Sequence, residues 1–230
     1  SGYRCLKHYY LRYVSVNLRH LFPKLVSYNR FVELEKNVAL PLAIFIKKVL
    51  LGKCTGISIV DSTPLRVCRN QRIQMHRVFK GIAARGKCSM GWFFGFKLHL
   101  ICNEKGELLN FMFTPGDIDD RKPLEYKPFI RFIYGKLVGD KGYISQNLFE
   151  RLFVDGIQLI TKLKSNMKGA LMSVSDRLLL RKRALIETIN DELKNIAQIE
   201  NSRYRPFENF LVNLLSGIAA YCFFSKKPTS

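Results

Sequence analysis

Apolar positions recur at three- and four-residue spacings through "SVNLRHLFPKLVSYNRFVELEKN" and again through "ALPLAIFIKKVLLG". That period predicts helices burying one face. Pro23 interrupts the first run, and Ser27 offers an N-cap for the helix that follows. Pro41 is expected to break or kink the second run, and Gly52 to end it. Residues 1–52 therefore read as a small helical lead-in. From residue 56 the period changes. "GISIVDSTPL" predicts a short strand near 57–61 that ends on Asp61. "GWFFGFKLHLICNEKGELLNFMF" predicts a hairpin with strands near 92–102 and 107–113 around a turn at Asn103–Gly106. Trp92, Phe93, Phe94 and Phe96 fall in that central strand and are expected in the core. "TPGDIDDRKPL" reads as a loop. A strand near 136–140 ("KLVGD") precedes a helix capped at Ser145 and stopped at Gly156. "IQLIT" is a further strand. "SVSDRLLLRKRALIETINDELKNI" predicts one long helix, and residues 207–224 a closing core helix. Strands and a hairpin, then strand, helix, strand, helix, helix make a mixed α/β order, with residues 53–230 as the main domain.

Composition narrows the partners. The 230 residues are 47% hydrophobic, enough for one sizeable core and unlike a disordered chain. Residues 207–224 carry Glu208, Asn209 and Asn213 and fall short of the roughly 20 apolar residues of a membrane span. Lys and Arg total 38 against 18 Asp and Glu, a net charge of +20. A domain this basic is expected to meet a polyanion. The cysteines at 5, 54, 68, 88, 102 and 222 form no CxxC pair, and neither they nor His8, His20, His76 and His99 have zinc-site spacing. Scattered thiols and the lack of an apolar leader in "SGYRCLKHYY" point to a reduced, cytoplasmic setting.

In so basic a chain the placement of acids carries information. No Asp or Glu occurs between Ser62 and Asn103, while Arg66, Arg69, Arg72, Arg77, Lys80, Arg85, Lys87 and Lys97 do. A polyanion following that tract is led towards Asp61, a carboxylate that is costly to bury without a partner or a metal. Asp140 closes a second short apolar run and is followed by Lys141, which is placed to touch DNA. Carboxylates at the ends of neighbouring strands can share one crevice. Glu187 is a third candidate. Arg183 and Lys194, four before it and seven after it, lie within roughly 40° of its direction on a helix. The Arg183–Glu187 spacing alone is equally that of a surface ion pair; its occurrence with Asp61 and Asp140 gives it weight. Three carboxylates are oxygen donors for hard divalent cations. Two such ions about 3.5–4 Å apart promote phosphodiester chemistry, with Arg183 and Lys194 on flanking phosphate oxygens. Asp117, Asp119 and Asp120, beside Arg121, read as turn formers with local ion pairs.

These segments resemble the DDE transposases of bacterial insertion sequences, whose catalytic domain is ribonuclease-H-like. "ISIVDSTPL" is similar to the first-Asp motif, "LVGDKGY" to the second, and "RALIETINDELK" to the Arg-x3-Glu-x6-Lys signature. "RVFKGIAARGKCSMGWFFGFKLHLI" and "TPGDIDDRKPL" look like family segments between the first two, so the likeness runs over roughly 56–224. It implies a ribonuclease-H-like mixed sheet flanked by helices, with Asp61, Asp140 and Glu187 as ligands of two Mg²⁺ ions (or Mn²⁺). It implies Arg183 and Lys194 as contacts to the DNA backbone; Lys141, beside Asp140, and Arg66, Arg77 and Lys80 of the basic tract are the further expected DNA contacts. Implied partners are element ends and target DNA, held by a homodimer. Leu180 stands where the full signature has Tyr, which leaves a hairpin intermediate unsupported. The helices of 1–52 are then the remnant of an upstream DNA-binding segment. An inactive copy that only binds DNA, and a stand-alone nuclease of the same fold, are the alternative readings.

Overall fold

A computed structural model describes residues 3, 5–162, 173–200 and 206–228. Its strands are β1 (Ile57–Cys68), β2 (Ala84–Cys88), β3 (Gly91–Asn103), β4 (Leu108–Pro115), β5 (Gly135–Gly139) and β6 (Ile157–Thr161). The helices are α1 (Leu6–Tyr9), α2 (Ser15–Asn17), α3 (Tyr28–Glu35), α4 (Ala39–Phe45), α5 (Lys127–Ile130), α6 (Gln146–Val154), α7 (Val174–Arg181), α8 (Ala184–Asn195) and α9 (Phe207–Cys222). They form one mixed sheet in the order β2-β3-β1-β5-β6, with β4 also paired to β3. β3 is antiparallel to both β1 and β4, while β5 runs parallel to β1 and to β6. This is the ribonuclease-H-like sheet that the motifs implied.

Strand alternation gives the sheet two apolar faces. Ile59, Leu98, Leu100, Val138 and Ile160 pack on one side with Ile186, Ile189 and Leu193 of α8 and Phe210, Leu214 and Ile218 of α9. Val60, Ile101, Leu137 and Leu159 face the other side, against Phe129 and Ile130 of α5 and Leu148 and Leu152 of α6. Ile46, just after α4, joins the first cluster, so the N-terminal helical run is packed on the sheet domain. Among the described residues no helix is long and apolar enough to cross a membrane.

Most predicted elements are present, with local differences. The hairpin turn forms as expected, with Gly106 N–H donating to the Asn103 carbonyl at 3.1 Å. Ser27 and Ser145 each cap a helix through the side-chain oxygen, and Gly156, at φ +77°, follows the end of α6. Pro41 falls in the first turn of α4, where no intrahelical N–H is needed, after a 3₁₀ turn at Lys36–Val38. β1 does not stop at Asp61 but runs on to Cys68 along β3. Pro64 is tolerated there because the strand has passed its parallel partner, and a missing donor on an edge stretch is harmless. The expected long helix is two. One continuous helix burying both Leu179 and Ile186 would also turn Lys182 or Arg183 inward; the break between α7 and α8 releases that charged pair. Trp92 also departs from expectation: Phe93, Phe94 and Phe96 are buried, but Trp92 is 51% exposed, with Arg85 5.0 Å and Lys87 5.8 Å over its ring.

Candidate active site

The register of the sheet brings the first two aspartates together. β1 pairs with β5 only at Ile57–Lys136, Ser58–Leu137 and Ile59–Val138. Asp61 lies two residues beyond Ile59, and Asp140 two beyond Val138. An even offset keeps a side chain on the same face, so both acids continue the face that carries Ile59 and Val138, towards α8. Neighbouring strands are about 4.8 Å apart. Both carboxylates therefore open into one cleft just beyond the end of the parallel pairing.

Asp140 also begins a tight 3₁₀ turn, its carboxylate accepting the Lys141 N–H. The break before α8 makes Arg183 the residue that precedes the helix. Its Nη1 meets Asp140 Oδ1 at 2.8 Å, and its Nη2 pairs with Glu187 Oε1 one turn on. Asn190, 7% exposed and a further turn along α8, donates from Nδ2 to Asp61 Oδ2 at 3.0 Å. One short helix thus contributes the groups that touch both aspartates. Sequence reasoning gave Asn190 no role; its three-residue spacing from Glu187 on a helix was the one available signal.

A cleft of about 360 Å³ opens here, lined among others by Asp61, Asp140, Tyr143, Arg183 and Lys194. Lys87 and Cys88 at the end of β2, and Ser89 and Met90 in the turn to β3, also line it. Lys97 and Asp120 also reach it, paired at 2.9 Å. The acidic loop thus splits: Asp119 pairs with Arg121 as expected, while Asp120 enters the cleft. Burial pushes the Asp61 carboxyl up to about 6, with the neighbouring charges of Asp140 and Glu187 adding to it and the Ser62 N–H and Arg183 opposing. Tyr143 is 2% exposed, with its hydroxyl enclosed beside Ser62. Burial raises its pKa well above the usual tyrosine value, so it remains a neutral donor.

The remaining expected contacts are dispersed. Lys141 is exposed beside Asp140. Arg66 lies in a separate depression with Arg69, Trp92 and Glu200, its N–H donating to Glu200 Oε1. Arg77 and Lys80 lie on the connection between β1 and β2 and do not line the cleft. Among the described residues, no three His, Cys, Asp or Glu side chains are grouped closely enough to hold a metal ion. The chemistry of the donor set nevertheless fits a hard divalent cation. The acids that meet here offer only carboxylate oxygens, two of them already gather around one cation, the Arg183 guanidinium, and Asp61 is destabilised as an anion chiefly by its burial.

A family model described as a transposase DDE domain matches residues 51–207. No curated protein matches the chain. Among solved structures, the piggyBac transposase synaptic complex with hairpin DNA is similar at 12% identity and a TM-score of 0.49, over 85% of this chain and 53% of that one. The Mos1 strand transfer complex is similar at 11% identity and 0.29, over 94% and 70%. The Mos1 paired-end complex with left transposon end is similar at 14% identity and 0.31, over 90% and 65%. The chain spans about half the length of the piggyBac transposase it matches.

Proposed function

The chain belongs to the transposase DDE domain family, and on that premise we propose that it cleaves the ends of a DNA element and joins them to target DNA. The observation that carries this reading is the matched offset of Asp61 and Asp140 beyond the β1–β5 pairing, beside the Arg183 and Asn190 of α8.

Asp61, Asp140 and Glu187 are the residues that would hold two Mg²⁺ ions, with Mn²⁺ a substitute. Such ions, when bound, activate a water or a 3′-hydroxyl and stabilise the leaving oxygen. The protein's own groups bind and orient the substrate. Arg183, freed from its two carboxylates, presents a planar fork to a phosphate flanking the scissile bond, and Lys194 adds a point charge in the same cleft. Lys141 contacts the backbone beside Asp140. Asn190 fixes the orientation of Asp61, leaving its other oxygen to face the cleft. A homodimer would hold two element ends together, and residues 1–52 would serve as a separate DNA-contacting segment. Asp61→Asn, Asp140→Asn and Glu187→Gln, each made singly, are expected to abolish Mg²⁺-dependent nicking of element-end DNA while DNA binding persists. Near-normal cutting by any one variant removes that residue from the site.

A second reading is a protein that binds DNA without cutting it. The Arg183 guanidinium already neutralises Asp140 and Glu187, which favours it. Nicking assays with and without Mg²⁺ separate the two readings, because this one gives no cleavage in either.

A further inference from the structure

A second cleft, of about 630 Å³, lies at the opposite end of the parallel strands. The run from Tyr134 to Asp140 separates it from the carboxylates by about 20 Å of extended chain. Lys47, Lys48 and Lys53 line it, and among the described residues no acidic side chain does. Among the described residues none of these lysines is held in an ion pair. Phe132, 76% exposed, and Tyr134, 55% exposed, stand in its wall. The walls are tied to one another. The Tyr134 hydroxyl donates to the Cys54 carbonyl at 2.9 Å, and Asn110 Nδ2 donates to the Phe129 carbonyl at 2.9 Å.

Phe132 carries the Arg131 guanidinium over its ring at 5.4 Å but remains 76% exposed, so apolar surface there and on Tyr134 is left against water. Lys47 lies over the Phe111 ring at 5.3 Å, and the unneutralised ammonium groups of Lys48 and Lys53 around a concavity call for anions. A ligand that satisfies both carries phosphates along one edge and flat apolar rings along the other, which is the chemistry of an unpaired nucleic-acid strand. A duplex keeps its rings stacked inside and would leave Phe132 and Tyr134 uncovered. The volume is also that of a pocket for a small ligand, about 300–1,000 Å³, and so admits a short length of one strand rather than a double helix. We infer that this cleft is a second nucleic-acid site, which holds a single strand by its phosphates on Lys48 and Lys53 and by a base on Phe132. The inference borrows from the proposed function only the identity of the polyanion as DNA.

The test is fluorescence anisotropy of a short labelled oligothymidylate with the full chain and no divalent metal. Binding is thus read whether or not the protein can cut, and a failure here is separable from a failure at the carboxylates. Lys48→Gln with Lys53→Gln is expected to weaken binding about tenfold at low salt and to flatten the log–log salt slope by about 0.7 per lysine. Phe132→Ala, which removes a surface ring and no charge, is expected to weaken the single strand about tenfold and to leave a duplex of equal length unchanged. Unchanged oligothymidylate affinity in both variants would overturn the inference. So would equal losses for single strand and duplex in Phe132→Ala.

Discussion

His99 shows how one side chain sets a condition on the whole protein. It is 1% exposed, with Nε2 on the Thr114 hydroxyl at 2.8 Å and Nδ1 without a partner among the described residues. Burial, the largest influence, holds its pKa down to about 4, with Lys97 acting in the same direction and Asp120 against it. Between about pH 6.5 and 4 the unfolded chain therefore binds the proton and the folded one does not. Stability is full above about pH 6.5 and is lost on acidification, by about 3 kcal/mol from this group. The Asp61 carboxyl, raised to about 6, contributes with the opposite sign over part of this window, so the loss is read against His99→Gln: between about pH 7 and 4.5 the wild-type urea midpoint should fall further than the variant's. At the candidate site, Asn190→Ala removes the donor that orients Asp61; cleavage should fall about 10–100-fold, measured on the same element-end substrate, with the fold intact by circular dichroism. The acids themselves were legible in the sequence because they interrupt apolar runs in a chain otherwise poor in carboxylates. Asn190 and Asp120 were not, because a neutral amide and a loop acid look ordinary until tertiary packing brings them to Asp61 and Lys97.

At the scale of elements, the strands with alternating or continuous apolar patterns and the Ser-capped helices were readable. β2 was missed because "ARGKC" has no alternation; it exists by pairing with the start of β3. The continuation of β1 past Asp61 was hidden by Pro64, and the division between α7 and α8 by a helix period that no Gly or Pro interrupts. The start of β5 depends on a glycine. Gly135 has φ +77°, and a Cβ there would lie 2.4 Å from the Gly56 carbonyl, against which the Lys136 N–H bonds at 2.8 Å. Gly135→Ala should lower unfolding free energy by about 1–3 kcal/mol. At Gly142 an added Cβ would meet nothing within 4 Å, so this position should tolerate Ala within about 0.5 kcal/mol. Chemical denaturation of the two variants checks both.

For the whole molecule, a charge of +20 makes salt the dominant variable in any DNA measurement. If about six phosphates are neutralised, affinity should drop about a thousandfold between about 50 and 200 mM salt, linearly on logarithmic axes. A flat profile would mean that the charge serves some other contact. The three paired positions between β1 and β5 have a consequence for how this chain can change over time. The loops between the two aspartates, from the tip of one hairpin to the turn before β5, can lengthen or shorten without disturbing their alignment. Dropping a single residue inside Ile57–Asp61 or Lys136–Asp140 would instead swing one acid through to the α5–α6 side, stranding it from its neighbour. Divergent copies should thus tolerate large insertions in the intervening loops and almost none in those two short windows.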